Sequence, residues 1–146
     1  MRINRKRVAA KSAGIVVLTV LASGLANTVA AQDVPADLVG VWKVETISGA
    51  AVDPQVDAWL EFEEAGTVDG SGGCNSLFGP FSNDDGFRIG PLAATRKACP
   101  PDILTQEQAL IKAIPAVRDF RLRSDNQELQ LLNGAGDVVV RLSADK

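Results

Sequence analysis

The sequence predicts an α+β domain, built mainly from an antiparallel curved sheet or partly open barrel with one packed helix. Short segments in which apolar and polar residues alternate recur along the chain, with the spacing of half-buried strands. Glycine, asparagine and aspartate separate these segments, as expected for tight turns. One later stretch has helical spacing of its apolar residues. We count about seven to eight short strands, which favours a mixed domain dominated by its sheet.

The first two predicted strands lie at 38–47 and 58–63. In the first, Trp42 and Val44 alternate with charged residues, and Ile47 falls on the opposite face from them. The second alternates in the same way and turns its glutamates towards water. Both segments therefore predict strands with one apolar face and one polar face.

Residues 70–90 are rich in glycine and turn residues, and three apolar residues there, including Phe78, are predicted to anchor the segment in the core. The sequence Asn-Asp-Asp-Gly at 83–86 predicts a tight turn, because Asp-Gly tolerates positive φ. Short strands are predicted to follow at 87–89 and 92–95.

The one predicted helix opens at Thr105. Thr105 and Gln108 have the spacing of a capping box, an apolar stripe follows, and Pro115 limits the helix. Three strand-like segments separated by turn residues then predict a meander of hairpins, at 119–122, 128–132 and 138–142.

Residues 1–31 have the pattern of a cleaved secretory signal. Basic residues without any acid are followed by an apolar run at 15–21 and by small residues before the expected cleavage site. We place cleavage after Ala31, with Ala30 as the alternative. An uncleaved membrane anchor is the competing interpretation, but the apolar run is short for a span of about 20 residues. The remaining chain, 32–146, is predicted to be a single domain.

Removal of this signal makes the chain strongly acidic. The full chain has 15 basic and 18 acidic residues; the signal takes five bases and no acids, which leaves 10 and 18 and a net charge of −8. Nucleic acid and anionic membrane surfaces repel such a chain, so we expect neither as a partner. We expect a periplasmic or secreted monomer that does not span the membrane after cleavage.

The chain has two cysteines, Cys74 and Cys99. In an oxidising compartment such a pair favours a structural disulfide. A redox-active pair is the alternative, but redox pairs usually have the closely spaced Cys-X-X-Cys pattern. We therefore predict a disulfide that closes a loop and stabilises the fold.

Several kinds of catalytic or metal site have no support in the sequence. The chain contains no histidine, so it has no imidazole for a Ser-His-Asp or Cys-His site or for a histidine-ligated metal. Two groups of carboxylates could serve acid–base chemistry, Glu61, Glu63, Glu64 and Asp69 around one turn and Asp84 and Asp85 around another. Glu61 and Glu63 alternate with apolar residues, which predicts a solvated strand face. The turn at 83–86 lacks the calcium-loop pattern, and the glycines at 70–73 lack the lysine of a phosphate loop. The aromatic residues are predicted to fill the core, with a ligand cavity as the alternative.

A series of segments carries a family resemblance. They are Leu-Val-Gly-Val-Trp at 38–42, Leu-Glu-Phe at 60–62, Gly-Thr-Val-Asp-Gly at 66–70, Gly-Cys-Asn at 73–75, Gly-Pro-Leu-Ala-Ala-Thr-Arg-Lys-Ala-Cys at 90–99, the helix with Glu107 and Leu110, and Leu-Gln-Leu at 129–131. The more specific motif residues are Gly73 and Asn75 around the first cysteine and Thr95 before the second. On these segments the chain resembles the META domain family, which includes the bacterial heat-shock protein HslJ.

The resemblance implies a small mixed domain, an envelope or secreted location, and loose links to stress and antibiotic tolerance. It supplies no catalytic residues and no cofactor. Many family members are lipoproteins, whereas this chain has no cysteine at the cleavage site to accept a lipid.

These observations lead to two functional hypotheses. The first is a non-enzymatic envelope protein that contributes to envelope maintenance or stress tolerance by contacting another protein. The alternative is a carrier that holds a lipid or other apolar molecule in a cracked barrel.

Overall fold

The computed structural model describes residues 34–125 and 127–145, and within them the chain forms ten strands and one α-helix. The strands are β1 (Gly40–Ile47), β2 (Ala50–Ala51), β3 (Ala58–Phe62), β4 (Thr67–Gly72), β5 (Ser76–Ser82), β6 (Arg88–Ile89), β7 (Ala93–Ala94), β8 (Val117–Arg123), β9 (Glu128–Asn133) and β10 (Val138–Ala144), and the helix is α1 (Pro101–Ala113). Short 3-10 turns precede β1 and follow α1. The predicted secretory signal lies outside the described residues.

The strands form one strongly curved antiparallel sheet. Its order is β6-β5-β4-β3-β1-β10-β9-β8, with β2 added to β1 and β7 added to β5. The two end strands, β6 and β8, approach each other, so the sheet is a nearly closed barrel. The rings of Phe87 and Phe120 meet across this opening with their centroids 4.8 Å apart. The α+β prediction is confirmed.

Apolar side chains fill the interior of the barrel. Phe62 and Phe81 pack edge to face with ring centroids 5.2 Å apart, and Leu110 of α1 is fully buried among the strands. The other large side chains with almost no exposure are Leu38, Leu60, Leu77, Ile114, Leu129, Leu131, Leu142, Val44 and Val68. Each such side chain stabilises the fold by about 1.5–3 kcal/mol through its burial, so this interior is the main source of stability.

The first strand departs from strict alternation. Trp42 and Val44 face the core as predicted, but Ile47 is also buried, because the register of β1 against β10 shifts between Val44 and Thr46. Such a bulge places one extra residue in the strand and reverses the facing of those that follow. The prediction that Ile47 lies on the opposite face from Trp42 was therefore wrong.

The helix begins four residues earlier than predicted. Pro101 is its first residue, a position where proline loses no hydrogen bond and has a suitable φ. The hydroxyl of Thr105 donates to the carbonyl oxygen of Pro101 at 2.7 Å, so Thr105 lies inside the helix and does not cap it. The prediction from capping residues placed the helix start too late, because the N-cap residue is Pro100, whose side chain makes no capping hydrogen bond.

The glycine-rich segment contains a regular strand that was not predicted. Strand β5 pairs with β4 over five consecutive residue pairs. The strand accommodates Gly79 and Pro80 within this ladder. Its alternation turns Phe78 outwards, and this side chain is 51% exposed. The prediction that Phe78 anchors the segment in the core was wrong.

The C-terminal meander is confirmed, and its three strands are each longer than predicted. The positive φ angles of Ser124 and Asp125 form the turn after β8. In the part of the chain that the structure describes, no helix has the length and apolar character needed to cross a membrane.

Candidate functional site

The carboxylate of Glu107 is buried where α1 packs against the turn between β4 and β5. Glu107 is 3% exposed. Its Oε2 accepts hydrogen bonds from the backbone N–H groups of Asn75 at 2.6 Å and Cys74 at 3.3 Å. Its Oε1 accepts a third, from Nδ2 of Asn75 at 2.6 Å. The side chain of one helix residue therefore accepts hydrogen bonds from three donors in the turn between β4 and β5. The two backbone N–H groups among them have no partner in the sheet.

The side chain of Asn75 continues this network. Its Oδ1 accepts hydrogen bonds from the hydroxyl of Thr95 at 2.9 Å and from the backbone N–H of Lys97 at 2.7 Å. The hydroxyl oxygen of Thr95 in turn accepts from the backbone N–H of Ser76 at 3.1 Å. Asn75 thereby joins the start of β5, the segment that leads into α1, and the helix itself.

A disulfide between Cys74 and Cys99 joins the same two segments, with their Cα atoms 6.2 Å apart. We call Cys74, Asn75, Thr95, Cys99 and Glu107 the clasp. It connects the β4–β5 turn to the chain on both sides of the helix start, so it fixes the position of α1 on the barrel.

The two glycines before Cys74 allow this close packing. A Cβ atom on Gly72 would overlap the side chain of Glu107, and one on Gly73 would overlap Val56. Gly73 also has a φ of +111°, which L side chains rarely adopt. Gly72 and Gly73 are therefore required by packing, and Gly73 also by its backbone conformation.

Sequence reasoning did not assign Glu107 a role. The available signal was its position on the apolar stripe of the helix, four residues after Ile103 and three before Leu110. A charged residue on a buried stripe requires partners, and the donors around Asn75 supply them. All of these contacts lie within the chain, so Glu107 joins α1 to the turn between β4 and β5.

A second feature lies on the outer surface of the barrel. Phe78, Asp69, Glu61 and Val41 lie side by side across β5, β4, β3 and β1, because each is paired with the next in the ladder. Phe78 is the one large apolar side chain that is exposed among residues 34–125 and 127–145. An aromatic residue in the middle of a regular strand is thus presented to solvent.

Next to this row, a shallow cleft of about 170 Å³ opens around the half-buried ring of Trp59. Its other lining residues are Val41, Asp57, Glu61 and Asp145. Lys43 is paired with Trp59 across the strands. We call this surface the acidic–aromatic face; its members are Asp57, Trp59, Glu61, Asp69, Phe78 and Asp145.

A groove of about 270 Å³ lies between α1 and the hairpin of β1 and β2. Its lining is mainly small and apolar, with Ile47, Val52 and three alanines. Asp102, Thr105 and Gln106 contribute the polar part of the lining. The Oε1 of Gln106 accepts a hydrogen bond from the backbone N–H of Asp53 at 3.0 Å, and its Nε2 is buried without a partner in the described chain. Ligand pockets in proteins usually measure about 300–1,000 Å³, so this groove suits only a small molecule.

Comparison with known proteins gives a family and three similar structures. The model of the META domain matches residues 36–146. An NMR structure of a protein from Burkholderia xenovorans is 21% identical with a TM-score of 0.59, and the alignment covers 75% of this chain and 84% of that one. A second NMR structure is 17% identical with a TM-score of 0.55, covering 73% and 90%.

The crystal structure of a DUF4847 family protein from Bacteroides vulgatus is 14% identical with a TM-score of 0.51, covering 76% of this chain and 96% of that one. At these identities the three structures establish a shared fold. The comparison with curated proteins finds no match.

Proposed function

Because this chain belongs to the META domain family, we propose that it is a non-enzymatic exported protein that contributes to envelope maintenance or stress tolerance by contacting another protein. The contact is made through the acidic–aromatic face. The periplasmic or secreted location and the cleavage after Ala31 are part of this proposal and come from the signal pattern at 1–31.

The observation that carries the proposal is the exposure of Phe78 on the same outer face of the sheet as the half-buried Trp59. Both residues belong to regular strands whose other face supplies the core, so neither is needed to fill the interior. Exposed aromatic side chains on a regular surface favour protein–protein contact, because tyrosine, tryptophan and phenylalanine are enriched in the buried centres of interfaces.

The filled interior argues against the carrier hypothesis. Phe62, Phe81 and Leu110 occupy the space that a lipid would need inside a cracked barrel. The groove beside α1 favours a carrier only for a small molecule, because its volume of about 270 Å³ lies below the usual range for ligand pockets.

The arrangement of the carboxylates supports a non-enzymatic role. Glu63 and Glu64 are exposed, and Glu63 accepts a hydrogen bond from the hydroxyl of Thr67 at 2.6 Å. Glu107, the buried carboxylate, is committed to the clasp. Glycoside hydrolysis needs two carboxylates facing one substrate cleft. Asp57, Glu61 and Asp145 share the cleft around Trp59, but its volume of about 170 Å³ lies below the usual range for ligand pockets.

A photo-crosslinking amino acid at position 78 tests the proposed function in the exporting cell. We expect one discrete protein adduct, because Phe78 lies within the proposed contact. The matched control places the same amino acid at Ala135, which is exposed in the turn between β9 and β10. Equal labelling from both positions, or no adduct from position 78, would contradict the proposal.

A further inference from the structure

Two carboxylates of the acidic–aromatic face are paired with each other across neighbouring strands. Glu61 and Asp69 are directly opposite each other on neighbouring strands. Like charges in this position destabilise a sheet. The salt bridge found within residues 34–125 and 127–145 joins Arg141 to Glu128, on other strands. A cationic side chain of a partner placed here would reduce the repulsion between these two carboxylates.

The same carboxylates surround an aromatic surface. Asp57, Glu61 and Asp145 line the cleft around Trp59. A lysine ammonium or arginine guanidinium over an indole ring is attracted by the ring itself, and the neighbouring carboxylates add to this attraction. Lys43 is paired with Trp59 and adds one positive charge next to this face. The face itself carries four carboxylates, so the local net charge is negative.

The length of the row formed by Val41, Glu61, Asp69 and Phe78 indicates how long a segment of the partner can contact this face. From Trp59 the face continues through Glu61 and Asp69 to Phe78, so it crosses β3, β4 and β5 in turn. Neighbouring strands lie about 4.8 Å apart, so the row from Val41 on β1 through Glu61 and Asp69 to Phe78 on β5 spans about 14 Å. An extended peptide of about four residues covers this distance.

We propose that the acidic–aromatic face binds an extended segment of the partner protein that is rich in lysine or arginine and carries at least one apolar residue. A basic side chain lies over Trp59 between Glu61 and Asp145, and the apolar residue packs against Phe78. This inference rests on the proposed function and specifies the chemistry of the partner at that site. The net negative charge of the chain also speeds the approach of such a segment.

Fluorescence of Trp59 provides the test, with an oligolysine peptide that carries one leucine as the probe. The second tryptophan, Trp42, is 3% exposed and its Nε1 donates to the carbonyl of Leu38, so it contributes a constant background. We expect a saturable change in emission whose midpoint moves to higher peptide concentration as salt is added. A glutamate peptide of the same length should produce no such change.

Two double variants separate a specific site from general attraction. Glu61→Gln with Asp145→Asn should weaken binding about tenfold, because it removes two of the charges around Trp59. Asp85→Asn with Asp102→Asn alters the net charge equally, but both residues are exposed elsewhere on the molecule, so binding should remain within about twofold. Phe78→Ser should weaken the binding of the leucine-containing peptide and should leave the binding of an all-lysine peptide unchanged.

The inference is overturned if the peptide causes no saturable change, if binding does not respond to salt, or if the two double variants weaken binding equally. These results differ from a failure of the proposed function. A protein adduct from position 78 with no peptide binding would retain the contact and reject a basic partner.

Discussion

Replacing Glu107 with alanine is expected to lower the free energy of unfolding by about 3–5 kcal/mol, because three buried donors lose their acceptor at once. These donors are the backbone N–H groups of Cys74 and Asn75 and the side-chain amide of Asn75. Urea unfolding followed by tryptophan fluorescence measures the change, and an unchanged slope would show that the unfolded state is not altered.

Two companion variants make this prediction specific to the hydrogen bonds. Glu107→Gln keeps the shape but places an NH₂ group against donors, so we expect an intermediate loss of about 1–3 kcal/mol. Gln108→Ala, on the exposed side of the same helix, should change stability by no more than about 0.5 kcal/mol. A loss for Glu107→Ala as small as that of Gln108→Ala would mean that the clasp does not stabilise the fold.

Replacing both cysteines with serine is expected to cost about 3 kcal/mol. The bond closes a loop with a sequence separation of 25, and the chain-entropy model assigns a stabilisation of about 3.5 kcal/mol to a loop of that size. For a domain of this length the melting temperature should fall by about 10 °C or more. Thermal unfolding without reductant measures it directly.

The control for the disulfide uses the unaltered chain. Reductant should lower its melting temperature to that of the Cys74→Ser, Cys99→Ser variant and should leave the variant unchanged. An equal melting temperature for the two proteins without reductant, or free thiols in the exported chain, would contradict a structural disulfide.

Much of the fold could be predicted because strands with one buried face have a visible period. The segments around Trp42 and Leu60 alternate clearly, and each is a strand. The prediction failed where backbone geometry and not side-chain pattern decides the structure. The bulge before Ile47 and the strand that continues through Pro80 leave no alternation to recognise.

Less of the candidate site could be predicted, because its parts are distant in the sequence. The motif residues Asn75 and Thr95 could be named from the resemblance, but their hydrogen bond depends on how the chain folds back after β5. The acidic–aromatic face was missed for a related reason. Phe78 was assigned to the core, and only the register of β5 against Asp69 shows that its side chain points outwards.

We propose that the chain is exported and oxidised and that it acts through its surface and not through a bound small molecule. Native mass spectrometry of the protein from the envelope fraction, without reductant, is the decisive experiment. The expected species is residues 32–146 less two hydrogens, free of small adducts and either alone or in a noncovalent assembly with another protein. A small-molecule adduct that dissociates on activation, or the mass of the uncleaved chain, would contradict the account.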